Sequence, residues 1–283
     1  MGKKSRRRVK AEKPARRPYV ARTFEGLPAE GDWVALREIV PAASGTLALA
    51  DGREIVVASL LPGGVAGLVR PDGTVWLGLQ VQHNYGDISR DLAAVVEQGL
   101  AGEPGRELSL AADPGDGPRL QDLVAPDATF EVTVHDGFEY WVDEADASEP
   151  ALAQALEAAN ESIAPTVRLT GVEGAYWTQM GNRRFLRWAQ SHDEGPLLDA
   201  LARLHAAGTS SLGEGTRLIG MFRSHALLVP VWDLDDEVTA DDLEAPARAF
   251  ADRLEPLLSD SSDLTAEERS ARSGLTNRQL TIR

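Results

Sequence analysis

Three of the five histidines stand close to carboxylates along the chain: His83 near Asp87, His135 beside Asp136, and His192 before Asp193 and Glu194. Imidazole nitrogen and carboxylate oxygen together make a donor set that a divalent metal accepts, so one reading is a metal-dependent enzyme built on His/Asp pairs. The spacing argues against it. No HExxH occurs, and each histidine falls at a predicted strand end or turn, where an imidazole caps a backbone group or faces water. His205, four residues after Leu201, reads as a packing residue on a helix face. A serine nucleophile has no G-x-S-x-G elbow to sit on. Gly213-Glu214-Gly215 precedes a predicted strand, whereas a dinucleotide fingerprint follows a strand and opens a helix.

Two absences from the sequence narrow the chemistry further. No cysteine is present, which removes disulfides, iron–sulfur clusters, thiolate zinc sites and a cysteine nucleophile, and fits a reducing compartment. All four lysines lie at or before position 13. The body of the chain therefore has no amine for a phosphate-cradling loop or a Schiff base. The residues assign no catalytic group, no metal ligand and no cofactor.

What remains is charge. Ten cations (Lys3, Lys4, Arg6, Arg7, Arg8, Lys10, Lys13, Arg16, Arg17 and Arg22) fall in the first 22 residues against one acid, Glu12, so this segment carries +9. The whole chain of 283 residues is at −15, which leaves residues 23–283 at −24. The segment and the body are different objects. Pro14 and Pro18 break any long helix, and Tyr19 can stack on a base, so this arm suits the release of counterions from phosphates. The expected nucleic-acid-binding residues are those cations through Arg17, with Tyr19, and the expected partner is RNA or a ribosomal surface. DNA is disfavoured, because a −24 body is repelled by a duplex and no recognition-helix motif is present. No run of 18 apolar residues occurs, and no apolar stretch follows the first charges, so the expected location is the cytoplasm, without a membrane partner.

The elements that would carry these groups follow from periodicity. Trp33, Leu36 and Val40 predict a short amphipathic helix ended by Pro41. Asp51-Gly52, Asp72-Gly73 and Asp136-Gly137 each separate β-rich runs and predict hairpins, the last joining 130–134 to 138–142. Leu92, Val95, Val96 and Leu100 mark a helix capped by Asp87 or Ser89. Residues 102–118 read as loop. In the second half a helix carries Leu152, Leu156, Ala159 and Ile163. Strands follow at 166–169, 175–179 and 183–189, then a helix capped by Asp193, strands at 216–222 and 226–231, and a long helix opened by Thr239 and Asp242. The stretches 76–83 and 185–192 align without a gap, as do 135–143 and 225–233, so four of the five histidines pair between the halves. This predicts an α+β fold of two pseudo-repeated units, each ordered helix, three-strand antiparallel sheet, helix, two strands, helix. The expected layout is a basic disordered tail at 1–24, a first unit at 25–147, a second at 148–258 and a polar C-terminal tail at 259–283. Among the aromatics, Tyr140-Trp141, Tyr176-Trp177, Phe185 and Trp188 lie on predicted strands, where adjacent side chains point to opposite faces. A set left exposed on one sheet face would form a groove for a peptide.

The element order of each half resembles that of type III secretion chaperones, which implies a surface that grips a partner. Through residues 25–43, 120–142 and 212–234 the chain resembles an uncharacterised actinobacterial family. Labels such as preprotein translocase ATPase or topoisomerase that attach to relatives imply a Walker lysine and a cysteine zinc tail, neither of which the body holds. The expectation is a non-enzymatic, chaperone-like protein that binds a protein partner, with an arm that tethers it to RNA or ribosomes. The alternatives are the His/Asp metal enzyme and an acidic structural subunit of a complex.

Overall fold

Asp51-Gly52 and Asp72-Gly73 make the turns their composition predicts. Gly52 and Gly73 take φ of 85° and 90°, a region open to glycine at little cost. The preceding aspartates fix each turn by accepting the N–H of Arg53 at 3.0 Å and of Thr74 at 2.8 Å. The computed structural model describes residues 19–83, 85–142 and 150–277. Among these are seven α-helices and eleven strands, and the fold is α+β.

The first unit opens with α1 (Glu30–Glu38), then β1 (Ala43–Ala48), β2 (Glu54–Ala58), β3 (Gly67–Val69) and β4 (Val75–Gly78). Next come α2 (Ile88–Leu100), β5 (Glu107–Leu108), α3 (Leu120–Leu123) and β6 (Glu131–Val134). The six strands form one sheet in the order β5-β3-β4-β2-β1-β6, with β2 and β4 parallel. Asp87 caps α2 by accepting from the N–H of Ser89 and Arg90. Leu92, Val95 and Val96 of that helix pack on the inner side chains of the sheet, Leu47, Ile55, Val57, Val75 and Leu77.

The second unit holds α4 (Pro150–Asn160), β7 (Thr166–Arg168), β8 (Ala175–Met180), β9 (Arg183–Trp188), α5 (Glu194–Ala206), β10 (Thr216–Ser224), β11 (Leu227–Leu234) and α6 (Ala240–Leu258). Its sheet is antiparallel, in the order β10-β11-β9-β8-β7. Thr239 and Asp242 form the expected capping box of α6. Both faces of this sheet are covered. Leu186, Trp188, Leu228 and Trp232 meet Leu197 and Leu201 of α5 and Leu243 and Phe250 of α6. Tyr176, Phe222, Val229 and Val231 on the other face join the core of the first unit.

Several sequence expectations are corrected. Residues 138–142 are not a strand and Asp136-Gly137 is not a hairpin turn. Phe138 and Trp141 stack on each other at 4.0 Å instead of alternating, and a 3-10 turn runs Glu139–Trp141. It is held by Asn160 Oδ1 accepting the Phe138 N–H at 2.9 Å and by Trp141 Nε1 donating to the Leu60 carbonyl at 2.9 Å. β6 pairs with β1 instead. Helix α1 is not amphipathic with one wet face. Seven of its nine residues are buried, because the second sheet covers the side that the first leaves open. The predicted order of helix, three strands, helix, two strands, helix is the order of residues 150–258, whereas four strands precede α2 in the first unit. His135 follows an edge strand and His225 sits in the β10–β11 turn, so that pair occupies different places. Beyond Ser259 the polar segment, where a short helix over 265–272 is expected, holds the longer α7 (Ala266–Asn277), whose Leu275 is buried in the second core.

Candidate polypeptide-binding face

The outer face of the first sheet has no helix over it among the described residues. Strand alternation puts Ser44 and Thr46 of β1, Val56 of β2, Trp76 of β4, and Glu131 and Thr133 of β6 side by side on that face. They line a trough of about 610 Å³ with Glu54, Asp127 and Thr129. The 3-10 turn closes one end. Tyr140 stacks on His135 at 4.2 Å and lies 6.2 Å from Trp76, and the Arg70 guanidinium sits 5.1 Å over the Trp76 ring. His135 is tied down by Ser44 Oγ at 2.8 Å, and burial holds its pKa below the usual imidazole value. Burial also raises the Tyr140 phenol to about 12, so it stays protonated and donates to the Leu60 carbonyl. Glu54, Asp127 and Glu131 are exposed and make no ion pair with a described residue. The face combines hydroxyls, one indole and unpaired carboxylates on a pleated surface. It offers hydrogen-bond acceptors and an apolar strip to an extended chain.

A second cluster of titratable groups lies buried on the far side of the sheet. His83 Nδ1 is 2.8 Å from Asp91 Oδ2, and both side chains are 2% exposed. Burial, aided by the charges of Arg37 and His225, lowers His83 to about 4. Burial and the neighbouring Asp87 raise Asp91 to about 6. At neutral pH the imidazole is therefore neutral and donates to the Asp91 carboxylate. His83 Nε2 and Asp91 Oδ1 have no hydrogen-bond partner. The geometry resembles an oriented base, yet 2% exposure leaves a substrate no route to it. His225, from the second unit, reaches into the same region: its Nδ1 is 2.8 Å from Thr23 Oγ1, and its Nε2 is 3.1 Å from both Arg37 Nε and Glu38 Oε1. That hydrogen bond keeps Glu38 below its ordinary pKa. His225 and Ala226 take φ of 47° and 62°, left-handed values that cost a non-glycine residue about 1–2 kcal/mol each and that the His225 hydrogen bonds hold in place.

A further buried tie joins the units at α1. Asp32, fully buried, accepts from Arg168 Nε at 3.1 Å and Nη2 at 2.7 Å, from the Tyr176 hydroxyl at 2.7 Å and from the Gly174 N–H at 3.2 Å. The carboxylate pushes the Tyr176 phenol and the Arg168 guanidinium above their ordinary values, with burial the larger cause for Tyr176.

Of the His/Asp pairs read from spacing, His83 with Asp87 and His192 with Asp193 and Glu194 are not assembled, while Asp136 lies close enough to His135 for its charge to favour the imidazolium. Asp87 pairs with Arg119, Asp193 with Arg22 and Glu194 with Arg223. No group of three or more His, Asp or Glu among the described residues is placed to hold a metal ion. His205 bonds Ser210. The arm residues Lys3, Lys4, Arg6, Arg7, Arg8, Lys10, Lys13, Arg16 and Arg17 lie outside the described residues, and Tyr19 is 79% exposed. Of the singled-out aromatics, Tyr176 and Trp188 are core, while Tyr140 and Trp141 border the trough. Asp91, Arg37, Asp32 and the trough residues were not anticipated. The last had a signal in the polar–apolar alternation of Glu131-Val132-Thr133-Val134, the mark of a strand with one open face.

Residues 23–283 match the model of a family of unknown function, DUF5926. The chain belongs to that family. No curated protein and no solved structure shows a match to it. The match takes in both sheets, the trough and α7 of this DUF5926 member, and leaves out the first 22 residues. No helix among the described residues is long and apolar enough to cross a membrane.

Proposed function

We infer that this protein is a non-enzymatic, chaperone-like binding protein that holds an extended segment of a partner polypeptide on the open face of its first sheet, with a basic arm that tethers it to RNA or ribosomes in the cytoplasm. The observation that carries the reading is the trough itself. Three of the four sheet faces are buried by helices or by the other unit, and the fourth presents hydroxyls, Trp76 and Tyr140. Trp76 and Val56 are only partly covered there. The order of elements in 150–258, like that of type III secretion chaperones, supports the same reading.

A display library of random peptides panned against the full chain tests it. Selected peptides should shift the amide resonances of β1, β2 and β6, and Thr46→Arg, exposed on the face, should weaken them at least about tenfold while moving stability by no more than about 0.5 kcal/mol. Peptides that map to α5 and α6, or that ignore Thr46→Arg, refute it. For the arm, removing residues 1–18 should abolish a salt-sensitive association with ribosomes; an unchanged sedimentation profile refutes that part.

A further inference from the structure

We propose that residues 1–18 of the chain occupy the trough on the first sheet as an intramolecular ligand, so that the arm and a partner segment compete for one site. The inference rests on the trough being a polypeptide-binding face and adds the chemistry of its occupant, which must be basic. Glu54, Asp127 and Glu131 line it, and the Arg70 guanidinium, which lies over the Trp76 ring, pairs with none of the three. Some acids elsewhere have arginine partners: Asp233 has Arg183 and Arg217, and Asp193 has Arg22. The trough carboxylates have none among the described residues, and a groove with three unpaired acids attracts a segment of opposite sign.

The chain carries that segment. Residues 1–18 hold nine Lys or Arg against Glu12, a net +8. The tenth cation, Arg22, is already engaged, at 2.8 Å from Glu30 and 2.9 Å from Asp193. The described chain begins at an anchored point, where the Val20 N–H donates to the Gly86 carbonyl at 2.9 Å. Eighteen extended residues reach up to roughly 60 Å. A folded body of this length has a radius of gyration of about 19 Å, so an arm of that reach spans most of its surface. A segment rich in arginine and lysine fits a pleated trough that has carboxylates at its margins and Val56 and Trp76 in its floor. The consequence is a coupling: while the arm is held, its cations are withheld from RNA phosphates, and a basic partner segment that takes the trough frees them.

The test uses the full chain. Because it has no cysteine, Ser5→Cys introduces a single thiol for a nitroxide label. At low salt the label should broaden the amides of Thr46 and Thr133 by more than half and leave those of Leu201 and Ala247 untouched. The broadening should vanish in 1 M NaCl, where screening acts within about 3 Å, and in the exposed triple variant Glu54→Gln, Asp127→Asn, Glu131→Gln. Broadening on another surface, or at the trough but unchanged in the triple variant, overturns the proposal. In parallel, deletion of residues 1–18 should tighten binding of a basic probe peptide about tenfold, as expected when a tethered competitor at millimolar effective concentration is removed. A face that binds library peptides equally well with and without the arm overturns this inference while the binding reading stands; a face that binds neither arm nor peptide overturns both.

Discussion

Replacing Asp32 by asparagine keeps the shape of the side chain and removes the charge on which Arg168, Tyr176 and Gly174 converge. The carboxylate is fully buried, and it alone offsets the half-buried Arg168 guanidinium, whose side chain is 23% exposed. Breaking a buried pair by removing one partner costs about 3–5 kcal/mol. The partial exposure of Arg168 puts this case at the lower end, about 3 kcal/mol, which for a chain of this size is a fall in Tm of about 6–12 °C. Tyr176→Phe, which gives up one hydrogen bond and leaves the ion pair, should cost about 1 kcal/mol. Urea and thermal melts followed by circular dichroism supply the values, and the double variant with Arg168→Met supplies the coupling. With the guanidinium gone, Asp32→Asn should cost nothing or stabilise, giving a coupling energy of about 2 kcal/mol or more. A cost below about 1 kcal/mol for Asp32→Asn alone, or a coupling indistinguishable from zero, would refute the claim that this carboxylate is the tie between α1 and the second sheet.

Gly31→Ala tests the same junction sterically. A Cβ there would stand 2.7 Å from the Ala189 carbonyl oxygen and 3.3 Å from Gly174 Cα, so a loss of about 1–3 kcal/mol is expected in the same melts, and an unchanged midpoint contradicts the packing. The His83–Asp91 pair predicts opposed pH slopes. Asp91 is raised from 3.8 to about 6, so its contribution to stability is present at low pH and lost as pH rises through that window; His83 is lowered from 6.5 to about 4, so its contribution is present above 6.5 and lost as pH falls toward 4. In His83→Gln stability should therefore rise between pH 6.5 and 4.5 relative to Asp91→Asn, and parallel urea midpoints in the two variants would count against it. Leu275→Ala should cost about 2–3 kcal/mol by calorimetry if α7 is part of the second core, and less than about 0.5 if it is loosely attached.

Much of the local structure was legible. The Asp-Gly turns, the Asp87 cap of α2 and the Thr239 capping box are contacts within four residues of each other, and their chemistry is written in adjacent letters. The parallel pairing of β2 with β4 was not, because periodicity reports which face is apolar and says nothing about which strand lies next door. Residues 138–142 alternate like a strand, yet Trp141 finds the Leu60 carbonyl and Phe138 finds Asn160, long-range partners that outweigh local preference. Spacing set His83 beside Asp87 and His135 beside Asp136, whereas the fold bonds them to Asp91 and Ser44 and brings Glu38 to His225. A carboxylate four residues ahead in the chain is no closer in space than one that a helix turn delivers. The trough was foreshadowed by alternation in β6 and by the aromatic pair at 140–141, but its floor at Trp76 became visible only with the strand order.

The contacts of His225 with Thr23 and Glu38 span 202 and 187 positions. At about 5–20 residues per second, the ribosome needs roughly 10–40 s after making Thr23 to deliver its partner. Until then Phe24 lacks the His225 ring that packs on it at 5.1 Å, so slowing translation between α4 and β11 should increase the share of nascent chains that misassemble.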